Sequence, residues 1–216
     1  MSDPVRVLYD TVATAYDEAL LSELDTKPLD RALLAGLVDS IGDGPVADLG
    51  CGPGQVAAHL RRCGARQVVG VDLSPSMVTT GRARHGDLGF AAGDLRALPL
   101  ADGVLAGATA FYSIIHLHPD ERPVAFREMA RVLRPGGHLL VAFHIDAPGI
   151  PMGTAHRSEN FLGHPVTFDG WFLYPDEVAR IAAAAGLVEV ARCVRAPIPD
   201  AEYPSRRCYL LLARPA

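Results

Sequence analysis

Lysine is almost missing from this chain. Of 20 Lys+Arg residues only Lys27 is lysine, so no glycine-rich loop ends in the lysine that a Walker-type nucleotide site requires. A Schiff-base mechanism would rest on Lys27 alone, in the polar stretch LDTKPLD, and is not expected. The arginine bias reads as the habit of a GC-rich genome. Basic excess is missing as well. The formal net charge of -5 argues against the positive stripe that grips nucleic-acid phosphates, so no nucleic-acid partner is expected. The four cysteines, Cys51, Cys63, Cys193 and Cys208, form no Cys-x-x-Cys pair and read as reduced thiols. No run approaches the roughly 20 apolar residues of a membrane span. The opening MSDPVRVLYD has neither the basic nor the apolar region of a leader peptide. These absences predict a cytoplasmic chain without a membrane partner.

What is present is patterned. With 216 residues and 49% apolar content, the chain has the length and composition of one globular domain, 1–216, able to bury a real core. Apolar spacing predicts helices over 4–24 and from Pro28 onward. Strand and helix then alternate: strands near 45–49, 67–73, 88–92, 103–113 and 136–144, with helices at 54–63, from Pro75, and at 119–132. Ser74 and Pro75 supply an N-cap and a first-turn proline. A helix at 175–185 and two strands, 187–194 and 207–213, close the chain. Such alternation predicts a doubly wound, mostly parallel α/β sheet with helices on both faces and an antiparallel hairpin at one edge. Residues 1–44 would form a helical cap. The stretch 145–174, rich in Gly, Pro, His and aromatics, reads as a long lid-like insertion, and loops of this length are usually functional.

The most informative stretch is VADLGCGPGQVAAHLRRCG, residues 46–64. An apolar strand stops at Gly50, Gly52 and Gly54, and a helix starts at once. In a doubly wound sheet the first strand ends at the ligand crevice. Glycine there permits positive φ and close ligand approach, while the next helix points free N–H groups at the same place. A dinucleotide prefers Gly-x-Gly-x-x-Gly, but here the third glycine comes one residue early. A ligand carrying an amino acid and an adenosine suits this turn better, and Asp48 offers a carboxylate to an ammonium group.

These residues resemble the class I S-adenosylmethionine-dependent methyltransferases. VADLGCGPG is similar to their first motif, VVGVDLSPSM to the second, FAAGDLRALPL to the third, and EMARVLRPGGHLLVAF to the approach to strand five. The likeness spans residues 9–214 and implies a Rossmann-like seven-stranded sheet. It also implies S-adenosyl-L-methionine as cofactor and S-adenosyl-L-homocysteine as product. By this resemblance Asp72 binds the ribose hydroxyls, with Leu73 beside it. Asp94 meets the adenine amino group, Leu95 adds a backbone contact, and Tyr16 approaches the methionine carboxylate. Gly50, Cys51 (through its backbone), Gly52, Gly54, Met77 and Phe111 complete the expected cofactor set. Met77 reads first as a core residue and second as a wall of the adenine pocket. The N-terminal YDTVATAYDEAL resembles a segment that folds over the cofactor in small-molecule members, and the tail resembles a bacterial subgroup with varied substrates.

Methyl transfer from a sulfonium is a one-step in-line displacement, so the protein mainly aligns the partners in a dry site. A base is needed only where the acceptor carries a proton. The acceptor is expected to be a small molecule with an O- or N-nucleophile, covered by Phe161, Phe168, Trp171 and Phe172. Catalytic candidates are His144 at the end of strand five, His116, and Tyr112, with His144 first as a base. His116 and His118 have no third partner at ligand spacing, so no metal is expected. His59 reads as a surface residue. Arg206 and Arg207 either pair with surface carboxylates or hold an anionic substrate. A monomer and a homodimer are both compatible. Three alternatives stay open: a nicotinamide oxidoreductase, a macromolecule-directed methyltransferase, and a family member that uses the cofactor without methyl transfer.

Overall fold

The computed structural model describes residues 3–216; Met1 and Ser2, which the expected domain and its cap include, lie outside the described residues. The chain opens with α1 (Pro4–Leu20) and α2 (Pro28–Ile41), then runs through β1 (Val46–Leu49), α3 (Gln55–Arg62), β2 (Val68–Asp72), α4 (Pro75–Arg84) and β3 (Gly89–Ala92). It continues with β4 (Leu105–Phe111), α5 (Arg122–Val132), β5 (Leu133–Asp146), β6 (Ala155–Ser158), β7 (Phe168–Trp171), α6 (Pro175–Ala184), β8 (Val188–Arg195) and β9 (Arg206–Ala213). Seven strands form one sheet in the order β3-β2-β1-β4-β5-β9-β8. Pairings among β1 to β5 are parallel, and β9 runs antiparallel between β5 and β8. This is the Rossmann-like doubly wound sheet that the alternation predicts, with its C-terminal hairpin at one edge.

Caps and periodicity explain the elements. Asp3 accepts a bond from Val5 N at 2.9 Å ahead of Pro4, and Ser74 accepts one from Met77 N at 3.1 Å ahead of Pro75, so both helices start where an N-cap and a proline coincide. β5 is buried on both faces, as a central strand requires. Its Leu139, Val141, Phe143 and Ile145 join the core beneath Phe126 and Met129 of α5 and Val178 of α6. Leu140 and Ala142 join the opposite core, with Leu34, Leu37, Val56 and Leu60 of α2 and α3.

Several expected boundaries shift for local reasons. The first helix ends at Leu20, and Glu23–Thr26 forms a separate 3-10 turn. β4 ends at Phe111 because Tyr112 turns into the left-handed region, φ 55°. The helix expected from residue 119 begins at Arg122, after His118 N bonds Glu121 Oε2 at 2.8 Å. The insertion is more than loop: β6 and β7 pair antiparallel as a hairpin of their own. Among the described residues no helix is long and apolar enough to cross a membrane.

Candidate functional site

The carboxyl ends of β1 to β5 open on one cavity of about 870 Å³, where an open α/β sheet is expected to bind ligands. Its floor is the glycine turn. Gly50 has φ 75°, and a Cβ there would stand 2.3 Å from the Cβ of Ser113, so only glycine lets β1 leave the sheet beside the end of β4. Gly50 N and Cys51 N donate to Val71 O at 2.7 and 3.1 Å. Asp72, at the end of β2, completes the turn. Its Oδ2 accepts from Gly52 N and its Oδ1 from Ser74 N, each at 2.8 Å. Burial raises the Asp72 pKa against the pull of these N–H groups. One carboxylate thus anchors both the glycine turn and the start of α4.

Asp48 lies opposite Thr109 in the β1–β4 register and accepts its hydroxyl at 2.7 Å. The other oxygen, Oδ2, is buried without a partner. Burial pushes this carboxyl up to about 7, opposed by the Thr109 bond. Glu23, Asp48, Asp72 and Asp94 all line the cavity. Glu23 is paired with Lys27 and Asp94 with Arg96, which leaves Asp48 and Asp72 beside the glycine turn to suit a cationic ligand.

Asp94 has a partner that sequence reading missed. Arg96 bonds it through Nε at 2.9 and 3.0 Å, and the same guanidinium reaches Asp3 at 3.0 Å and Glu121. Burial raises the Asp94 pKa, but the Arg96 bonds outweigh it and hold the carboxyl below its usual range. Arg96 therefore ties the turn after β3 to the cap of α1 and to the approach of α5. The Arg96→Ala variant would leave three carboxylates facing one another. Loss of several partly exposed pairs is worth on the order of 1–3 kcal/mol, so trypsin or thermolysin should cut α1 roughly 10-fold faster in Arg96→Ala than in wild type. Equal cleavage rates would remove Arg96 as the fastening of that helix.

Tyr16, Gly50, Cys51, Gly52, Leu73, Leu95 and Phe111 also line the cavity. Met77 and Gly54 do not. Met77 is fully buried against Leu8, Val12 and Ala13 of α1, the core role that the sequence favours. Gly54 has φ 96° and is capped by the ring of Phe90; it shapes the turn from behind. Burial raises the Cys51 thiol well above its usual range. His59, expected at the surface, is buried on α3 at 9% exposure.

The catalytic candidates line the same cavity, each with one polar atom already engaged. His116 Nε2 bonds the Tyr9 hydroxyl of α1 at 2.7 Å, and its Nδ1 is buried without a partner. Burial lowers its pKa to about 4. His144 Nδ1 bonds Ser205 Oγ at 2.7 Å. Burial, then the charges of Arg207 and Lys27, bring its pKa to about 3. Neither imidazole is therefore a strong base at neutral pH. Tyr112 directs its hydroxyl away, to Tyr209 at 3.2 Å, and Tyr209 in turn donates to Asp30 at 2.8 Å; burial raises the Tyr112 pKa. His118 packs edge-on to Trp171 at 5.8 Å. Among the described residues no group of three or more His, Cys, Asp or Glu is placed to hold a metal.

Lys27 is the larger surprise. It is buried, bonds Glu23 Oε2 at 2.6 Å, and stands 5.8 Å over the Tyr112 ring. Its isolation as the single lysine was the available signal, and its polar surroundings in sequence hid it. Arg206 pairs with Asp146 at the surface, whereas Arg207 is buried beside Glu202 at 3.0 Å.

A family model described as "Methyltransferase domain" matches residues 46–137, from β1 into β5. A demethylmenaquinone methyltransferase of Beutenbergia cavernae is 36% identical over 150 residues, which are 68% of this chain and 60% of that protein. An O-methyltransferase, resE, of Aspergillus sclerotiorum is 32% identical over 126 residues, 56% of this chain and 47% of its own length. The chain thus spans about 60% or less of the length of these curated relatives. Among solved structures, the 1,6-didemethyltoxoflavin-N1-methyltransferase of Burkholderia thailandensis, with its acceptor and S-adenosylhomocysteine bound, superposes with a TM-score of 0.68. The identity there is 19%, over 100% of this chain and 92% of that one, a likeness of fold alone.

Proposed function

Because the chain belongs to the class I S-adenosylmethionine-dependent methyltransferase family, we propose that it binds S-adenosyl-L-methionine in this cavity and methylates a flat small molecule at an oxygen or nitrogen. The single observation that carries the reading is the carboxylate wall around the glycine turn: Asp72 bound to Gly52 N, and Asp48 Oδ2 buried without a partner. An unpartnered buried carboxylate is costly until a cation meets it, and the cofactor brings both an ammonium and a sulfonium. Bound there, it supplies an activated methyl group.

The chain's own residues have the remaining tasks. Asp72 would hold the ribose hydroxyls while keeping the turn in place. Asp48 would receive the ammonium, and Leu95 and Asp94 would border the adenine, with Arg96 fixing the Asp94 carboxylate. Tyr16 and Phe161, with ring centroids 6.2 Å apart, join α1 to the insertion above the glycine turn. This contact supports reading 3–44 and 145–174 as covers of one catalytic domain that exclude water. The aromatic rings of Phe172, Tyr203 and Tyr112 surround His144 and favour a flat acceptor. A cytoplasmic enzyme of small-molecule metabolism fits these features.

Calorimetry tests the reading. S-adenosylmethionine and S-adenosylhomocysteine should each bind at one site per chain, with no heat from NAD. Binding of NAD with no response to either sulfur compound would return the chain to the oxidoreductase alternative.

A further inference from the structure

The acceptor end of the cavity carries a proton arrangement that fixes the role of one side chain. Ser205 is fully buried, and among the described residues its hydroxyl has one partner, His144 Nδ1 at 2.7 Å. If Nδ1 carried the ring proton, the serine O–H would be left buried with no acceptor, an unfavourable arrangement. The hydroxyl therefore donates, Nδ1 accepts, and the proton of the neutral ring sits on Nε2. His144 lines the cavity, and its Nε2 has no protein partner among the described residues. What it presents to a ligand is an N–H.

Charges of both signs meet on the same side, Lys27, Arg195 and Arg207 with Glu23, Asp30 and Glu202. Arg207 lies directly across from His144 in the antiparallel pairing of β5 and β9, which puts both side chains on one face. Arg207 and Lys27 each stand 5.8 Å over the Tyr112 ring, and that ring stacks on His144 at 4.9 Å and 30°. Tyr112 holds this place at φ 55°, a strained conformation for a bulky residue, of the kind that clusters at functional sites. Glu202 and Glu23 balance the two cations by side-chain pairing at 3.0 and 2.6 Å. Even so, Arg207 and Lys27 act on His144 more strongly than Glu202 does.

We infer that His144 serves as a neutral hydrogen-bond donor and not as a base, receiving the oxygen of an acceptor that binds already ionised: a flat, acidic phenol or enol. This rests on the methyl transfer proposed above. The acceptor's proton leaves to solvent as it binds. Its ionised oxygen then forms the bond to the methyl carbon, and the S–CH3 electron pair stays on sulfur. The negative and positive charges cancel, and no protein group has to take a proton. Tyr112 is the platform that aligns the ring, and Arg207 and Lys27 set the potential that favours the oxyanion.

Two measurements on the full chain test this without the cofactor, so a failed calorimetric test of cofactor binding stays a separate result. Nitrogen NMR near neutral pH should show His144 Nε2 protonated and Nδ1 bare. Titration with para-nitrophenol, whose phenolate absorbs visible light, should show at least ~10-fold tighter binding of phenolate than phenol, a fall of about one unit in its apparent pKa. That preference should shrink several-fold in His144→Ala, where only the charges of Arg207 and Lys27 remain, and largely survive in His144→Gln, whose amide keeps an N–H. A protonated Nδ1, or a phenolate that does not bind or binds no better than the phenol, overturns the inference. If His144→Ala does not fold, the wild-type spectrum and titration still decide.

Discussion

Replacing Asp72 with alanine is expected to weaken S-adenosylmethionine binding by about 100-fold or more. The side chain would lose two charge-assisted bonds to the ribose, each worth about 1.5–3 kcal/mol, so at least about 3 kcal/mol in total. The loss is deepened by what Asp72 does in the free protein. It accepts from Gly52 N and Ser74 N at 2.8 Å, and alanine leaves both donors without that partner. The glycine turn would then have to be ordered by the ligand itself, which takes more from the binding energy. Calorimetry reads the affinity, and a thermal melt of the same variant checks that the sheet survives. Binding as tight as wild type, on a folded variant, would mean that β2 does not deliver its terminal carboxylate to the ligand.

The parts of this molecule legible in its sequence are those where local chemistry and global fold demand the same residue. The glycine turn is one. Positive φ at Gly50 and the close approach of Ser113 can be met by glycine alone, so the requirement is written in the chain. Asp72 ends an apolar strand, and Ser74 and Pro75 announce α4 in one tripeptide. The hairpin β6–β7 was not legible, because Ala155–Ser158 and Phe168–Trp171 show neither alternation nor β-branched residues. It is held by its pairing and by aromatic contacts such as Phe161 on Phe168.

The charged residues around His144 were illegible for another reason. Lys27, Asp30, Arg195, Glu202 and Arg207 come from opposite ends of the chain and meet only after β9 enters between β5 and β8. Sequence spacing carries no trace of such a meeting. The surroundings of His144 were illegible for the same reason: Ser205, which bonds its Nδ1, is 61 residues away, and its low pKa follows from burial first and then from Arg207 and Lys27. Met77 shows the reverse case. Its place on the first turn of α4 favours a core role over a ligand pocket, and it packs against α1.

That packing has a pH dependence centred on His116. The ring joins the two covers: Nε2 meets Tyr9 of α1 at 2.7 Å, and the ring packs on Phe168 of β7 at 5.9 Å. Burial lowers its pKa from 6.5 to about 4, so the unfolded chain takes up this proton before the folded one does. The contribution of the neutral ring is fully present above pH ~6.5 and is lost as pH falls toward ~4. A gap of about 2.5 units corresponds to roughly 3 kcal/mol. Other groups move in the same range: His144 shifts in the same direction, and the raised carboxyl of Asp48 shifts in the opposite one. Both are present in His116→Gln as well, so the stability difference between wild type and that variant isolates the ring. Urea denaturation of the two proteins from pH ~7 to ~4 should show this difference shrinking, or turning against wild type, by up to about 3 kcal/mol. Hydrogen exchange should place the first acid-induced opening in α1 and β7, while β1, β4 and β5 stay protected. A difference that stays constant across the range would mean that the His116 ring is not buried neutral, and would leave α1 held by Arg96, the Met77 packing, and the bonds of Asp10 to Ser74 and Ser76 and of Asp17 to Arg84.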